Sequence, residues 1–440
     1  MQGERKTLTQ LSVPICLETL FYMLSGMVDT LMLSSVSDQA VGAVGTANTY
    51  IGVFIIMFGV ISSGMVAVMS QNIGAGRPGI AYQARQLGLV FNALTGILIS
   101  VVLAVFSGGI LRAVSIAPAL LESAETYLKI VGGASFLNAL IPIFSSYLRV
   151  FGYTKHSLIG TVVGNVINII LNSVFLFVFH WGVMGVATAT VISKAVNLII
   201  VAAMGAVLIK AKQSPEREQP RRILAQIVKI GFPSAFETAL YNVAMTFMVR
   251  FMNQMDTDGM NVTARSYAMQ IANFSYCVGA ALAQANAIMT GWRIGAKKYE
   301  ECDRGTRKAV IYGLVTATCF SVTFAMTGRF IVHIFTDDTQ MIELVVKLLI
   351  VDIFLEFGRV TNLVYGQALK TSGDAIFPVI IGAIFMYLFA VGGTYFLGIH
   401  MGLLAVGAYI AMAGDECARA IGMVLRWKSG KWKSKSLIEL

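Results

Sequence analysis

The chain has 440 residues, 56% of them hydrophobic and only 13% charged, with a mean hydropathy of +0.74. Soluble domains carry roughly a quarter charged residues, so a water-exposed fold of this length is excluded and lipid must be the solvent. The formal charge of +10 is read from where it falls along the chain.

A polar start, Met1 to Gln10, leads into an apolar stretch too long for a signal peptide and without a cleavage site. Hydrophobic spans follow at about 10–34, 49–71, 86–110, 127–149, 157–179 and 183–209. After the polar stretch Lys210 to Arg222 come spans at about 227–252, 266–291, 308–334, 343–367, 376–398 and 402–425. The predicted fold class is an all-α integral membrane protein of twelve transmembrane helices. With both termini on one side, that side and its loops hold 24 of the 33 Lys and Arg, and the opposite side holds four. By the positive-inside rule both termini are cytoplasmic, in a cell (inner or plasma) membrane. The basic balance is therefore topology, and no nucleic-acid partner is expected.

The two halves repeat. Pro14, Glu18, Thr19 and Tyr22 match Pro233, Glu237, Thr238 and Tyr241 at an offset of 219, and Ile73-Gly74-Ala75 answers Ile294-Gly295-Ala296. Tyr147 and Gly164 answer Tyr365 and Gly382 at 218. Six spans per half is an even number, so the halves are parallel repeats about an axis along the membrane normal, with a central cleft. The division is an N-lobe at 1–212, a linker at 213–222 and a C-lobe at 223–440.

Several function classes find no support. Gly74-Ala75-Gly76 lacks the GK[ST] of a phosphate loop, so ATP is not the energy source. Four His without ligand spacing and five scattered Cys support no metal site, disulfide framework or enzyme chemistry.

Ionisable groups inside spans each need a reason, since a charge at the bilayer centre costs about 2.5–3.5 kcal/mol. Helix rise places Asp29, Asn168, Asn172 and Thr190 in one layer, roughly 8–16 Å below the outer surface. Asn165, Asn168 and Asn172 form a polar stripe at i, i+3, i+7. One carboxylate among amide and hydroxyl oxygens suits a proton or a hard monovalent cation. Lys194 lies one turn below Thr190, and Glu18 is nearly cofacial with Asp29, so Lys194 is expected to pair with one of these two acids, either in one state only, releasing the acid to protonate in the other, or as a permanent structural ion pair. In the second half Asp352, Glu356 and Arg359 fall at i, i+4, i+7, with Asn362 one turn on. Glu237, Asp352, Glu356, Asp415 and Glu416 against Arg359 and Arg419 leave a formal −3, which cannot all be ionised without cost in a low dielectric. Glu356–Arg359 and Asp415–Arg419 read as structural pairs, and Glu237 as functional. Some of the Met and Phe should line the cleft, where thioethers and aromatic faces suit varied apolar cations.

The sequence resembles the multidrug and toxic compound extrusion (MATE) family, bacterial type. The likeness is carried by LSVPICLETLFYMLSGMVDTLML, QNIGAGR, LRVFGYTKHSLIGTVVGNVINIILNSVFLF, WGVMGVATATVIS and LRWKSGKW, in order over essentially the whole chain. The resemblance implies an antiporter, acting as a monomer, that expels amphipathic organic cations in exchange for H+ or Na+, with no other cofactor. It also implies that Asp29, Asn168, Asn172 and Thr190 form the cation-coupling site. Asn172 stands where the family has a second acid, and Arg359 stands where some branches carry an Asp. The alternative is a lipid-linked saccharide flippase of the same two-lobe plan, which would be expected to show more cationic residues at cleft depth.

Overall fold

The computed structural model describes residues 6–35, 37–113, 116–211, 214–256, 258–334 and 336–438. Arg5, Lys212 and the first linker residue, Gln213, lie outside the described residues. The helices are α1 (Leu8–Ser34), α2 (Asp38–Gly74), α3 (Pro78–Ala113), α4 (Pro118–Tyr127), α5 (Ser135–Val150), α6 (Thr154–Ser173) and α7 (Gly182–Leu208). They continue as α8 (Pro220–Met252), α9 (Met260–Gly295), α10 (Tyr299–His333), α11 (Thr339–Ser372), α12 (Ile376–Phe385) and α13 (Leu404–Lys428). A π turn at Leu128–Gly132 joins α4 to α5 in one rod bent by 41°. With that pair taken as one, the described residues form twelve rods in the places where hydropathy predicts spans.

Seven rods are apolar enough to cross a bilayer on composition alone, and nine if the bent rods α2 and α4–α5 are counted. The other three, α9, α11 and α13, fall short, and these three pack on one another. Their polar residues face helix instead of lipid, so they need less hydrophobicity to be stable. The outward face of α10, which packs on α9 and α11, is apolar: Met326 is 82% exposed and Phe330 76%. Such a face suits a hydrocarbon solvent and would be untenable in water.

Contacts divide the chain into two compact units, one of Met1–Lys6 with Leu17–Gly231, the other of Thr7–Cys16 with Phe232–Leu440. The divisions fall inside α1 and α8, within three residues of the matched prolines Pro14 and Pro233. The first three turns of α8 thus belong to the first unit. There a Cβ on Gly64 would lie 2.0 Å from the Ile227 carbonyl oxygen, and one on Gly231 1.7 Å from that of Val60. Only glycine at both positions lets these backbones cross so closely.

The repeat is visible in the helix ends. Gly152 (φ 83°) follows α5 and Gly373 (φ 104°) follows α11, each taking the left-handed conformation that stops the helix. Their spacing of 221 residues, not 218, is the register at this end of the halves. Each half also ends its fifth rod in π-helical turns, Val174–Val178 in one and Met386–Val391 with Thr394–His400 in the other.

The orientation follows from charge and is testable. In a background lacking the five native cysteines, a cysteine at Ser214 should stay unlabelled by an impermeant maleimide in intact cells. One at Asp258 should be labelled. The reverse pattern would overturn the assignment of inner and outer faces.

Candidate functional site

In the first unit α1 and α6 run side by side, joined by a ladder of polar contacts. At one end Glu18 is buried; Arg149, in the last turn of α5, reaches its Oε1 at 2.7 Å, and the Ser157 hydroxyl donates to the same oxygen at 3.0 Å. Midway, Asn165 donates to the Phe21 carbonyl at 2.6 Å. At the other end Asn172 Nδ2 donates to Asp29 Oδ1 at 2.5 Å and to Asn168 Oδ1 at 3.3 Å. The i, i+3, i+7 stripe on α6 is therefore turned toward α1, which is why three amides can sit in a span without facing lipid.

Asn168 and Asn172 are buried, and Asn172 Oδ1 has no hydrogen-bond partner among the described residues. Thr190 joins the layer indirectly. Its hydroxyl donates to the Val186 carbonyl at 2.8 Å, and it meets the Tyr127 phenol, which also meets Asn48 and lies within electrostatic reach of Asp29. Lys194 interacts electrostatically with Asp29 but closes no ion pair among the described residues. The structure thus brings Asp29, Asn168, Asn172 and Thr190 into one neighbourhood with Lys194 beside it, and adds Tyr127 and Asn48.

Glu18 does not belong to this group. It lies about 16 Å from Asp29 along α1, and its partner Ser157 about 22 Å from Asn172 along α6, by helix rise. The expected pairing with Lys194 is replaced by Arg149. A glutamate buried in a span needs a cation close at hand, and the end of α5 supplies one.

The second unit holds the equivalent pair. Lys370 Nζ lies 2.6 Å from Glu237 Oε2, with both side chains largely buried. Glu18 and Glu237 are 219 apart, and Arg149 and Lys370 are 221 apart. The duplication therefore carries one ion pair per unit, from the residue four after the first-helix proline to the last turn before the left-handed glycine. Lys370, like Arg149, is thus a partner within the bundle and not a free loop residue.

Beside this pair is a cavity of about 420 Å³, wholly within the second unit. Its charged lining residues are Glu237, Asp352, Arg359, Lys370, Glu416 and Arg419. The two clusters expected on α11 and α13 form one chain of alternating charge. Glu356 pairs with Arg359; Arg359 Nε lies 3.9 Å from Glu416, Arg419 2.9 Å from Glu416, and Arg419 grips Asp415 at 2.7 and 3.0 Å. Asn362 donates to the free oxygen of Glu416 at 2.9 Å. Alternation keeps each acid beside a base, which lessens the repulsion that three clustered carboxylates would otherwise feel. Counted over the same residues, Lys370 lowers the expected formal −3 to −2, so the interior of this unit is less acidic than the sequence suggests.

Against these geometries, a family model described as MatE matches the chain twice, over residues 14–174 and 233–396. The two matches begin 219 residues apart, the spacing of the internal repeat. The chain is 32% identical over 437 residues to the uncharacterized transporter YisQ of Bacillus subtilis (strain 168), covering 98% of this chain and 96% of that protein. It is 26% identical over 456 residues to a Thermotoga maritima protein described as "Probable multidrug resistance protein NorM", covering 99% and 94%. A solved structure of an outward-facing multidrug resistance transporter shares the fold, with a TM-score of 0.88 at 18% identity over 97% and 96% of the two chains.

The Glu237–Lys370 pair yields a direct prediction. Lys370→Met should lower thermal stability in detergent by about 3 kcal/mol, because it strands a buried carboxylate. Glu237→Gln with Lys370→Met should recover most of the loss. A double-mutant cycle with no coupling between the two positions would show that the pair contributes nothing.

Proposed function

This chain belongs to the MatE family of multi-pass membrane transporters, and on that premise we propose that it is a secondary active antiporter. It exports amphipathic organic cations in exchange for protons, with sodium as the alternative coupling ion. The two compact units act as lobes, N-terminal and C-terminal, that alternate access to the two sides of a plasma membrane with cytoplasmic termini. The protein carries out no covalent chemistry and works as a monomer.

The observation that carries this reading is the Asp29 carboxylate, bound by Asn172 at 2.5 Å beside a buried amide oxygen that has no donor among the described residues. A proton brought to this group supplies both the missing charge and the missing hydrogen. Sodium would require several oxygens drawn close together and gains from a second negative charge, and Asn172 carries none. Lys194 places a positive charge where a bound cation would sit, which weighs further toward the proton. The flippase alternative is weaker, because every base lining the cavity of the second unit is already held by an acid.

Asp29→Asn keeps volume and hydrogen-bonding oxygen but cannot change charge. Cells expressing it at normal level should lose gradient-dependent efflux of a fluorescent lipophilic cation. Near-normal coupled efflux would remove Asp29 as the coupling group. Lys194→Gln should shift the pH optimum of efflux upward, since the ammonium that favours the ionised carboxylate is gone. An unchanged pH profile would leave Lys194 without a part in coupling.

A further inference from the structure

We propose that the cavity of the second unit binds a small apolar compound bearing one protonated amine, and that Asp352 is its anchor. The inference rests on the reading of the chain as an exporter of organic cations, and assigns the exported class a place and a charge-bearing partner.

Charge bookkeeping inside the cavity singles out Asp352. Glu237 is held by Lys370, Arg359 by Glu356 and Glu416, and Arg419 by Asp415 and Glu416. Asp352 also lines the cavity and is only 3% exposed, yet among the described residues it makes no hydrogen bond or ion pair. Arg359 is near enough to influence it electrostatically but is turned to Glu356, one turn further along α11. The cavity therefore presents one lining carboxylate that no base or hydrogen-bond donor among the described residues holds. A second positive charge on the ligand would meet no unpartnered carboxylate of the lining, and an anion would meet no base that is not already held by an acid.

The walls select the rest of the ligand. Tyr241, Tyr276 and Tyr409 line the cavity together with Met386 and Met412. Aromatic faces and thioethers accommodate an apolar body of variable shape. A volume of about 420 Å³ lies within the usual range for sites that take small organic molecules. A bare metal ion is poorly served, since hard cations want about six oxygens and no group of three acidic, His or Cys side chains fit to hold a metal is found among the described residues. A quaternary ammonium has no N–H to donate, so the carboxylate would lose its hydrogen bonds to water without replacement. A protonated secondary or tertiary amine satisfies both charge and hydrogen bond.

The test is equilibrium binding to the full chain in nanodiscs, with three probes on one skeleton. These are N,N-dimethyl-1-naphthylmethylamine, its N,N,N-trimethyl analogue and the neutral isostere in which carbon replaces nitrogen. The unaltered protein should bind the amine at least tenfold more tightly than either analogue. Asp352→Asn should weaken the amine at least tenfold and leave the neutral analogue unchanged. Equal affinity for all three probes, no measurable binding of the amine, or an amine affinity unaltered in Asp352→Asn would each overturn the assignment. The analogue comparison uses only the unaltered protein, so it stands even if the variant fails to fold. Binding is read without a gradient, so a failure at Asp352 and a failure of cation export appear separately.

Discussion

A carboxylate inside a lipid-embedded helix bundle must find its partner within the bundle, because the surrounding solvent offers neither hydrogen bonds nor charge. Most of the polar architecture here answers that constraint. Glu18 takes Arg149, Glu237 takes Lys370, and the acids of α11 and α13 interleave with Arg359 and Arg419. These groups also explain why α9, α11 and α13 can be too polar to count as spans on composition and still sit in the bundle. They pack on one another and turn their charges inward. Removing one member of such a pair costs more than the pair is worth, since it leaves the other charge buried and alone.

Two acids stand apart from this pattern, one in each unit. Asp29 is held by amides, with its one nearby ammonium outside ion-pair distance. Asp352 has no partner among the described residues. Duplication gave the units a common frame and the same clamp between first helix and fourth rod, but their polar layers have diverged. The first unit offers a single carboxylate among amides, which suits the exchange of a small cation. The second offers a cavity in which one lining carboxylate has no partner among the described residues, which suits an organic cation. Coupling and cargo recognition would then reside in different units, with the rigid clamps of each unit keeping its helices in register while the units move.

Much of this was legible in the sequence, and the reason is physical. Hydrocarbon imposes a length on every span and a cost on every charge, so the twelve rods and the polar groups within them stand out from the pattern alone. Helical periodicity also indicates that Asn165, Asn168 and Asn172 share a face. It does not say which helix they face, and α1 is found only in three dimensions. Asp29 with Asn172 follows from equal depth, because both are counted from the same membrane surface. Glu18 was misassigned because angular agreement on one helix ignores eleven residues of rise. Arg149 and Lys370 looked like inner-loop charges, since each lies in the last turn of its helix, where positive residues commonly face the cytoplasm. Matching the left-handed glycines Gly152 and Gly373, in place of Tyr147 and Tyr365, would have paired them. Tyr127 and Asn48 carry no pattern in sequence, because they enter the Asp29 neighbourhood from two other helices, α4 and α2.

The central claim is that a proton exchanged at Asp29 drives export. It is tested most directly in proteoliposomes that contain the purified protein, with a pH gradient and a sodium gradient imposed separately and uptake of a fluorescent lipophilic cation recorded. The account predicts uptake driven by the pH gradient alone in the unaltered protein, none by sodium at constant pH, and none by either in Asp29→Asn. Transport driven by sodium at constant pH, with no response to the pH gradient, would contradict it.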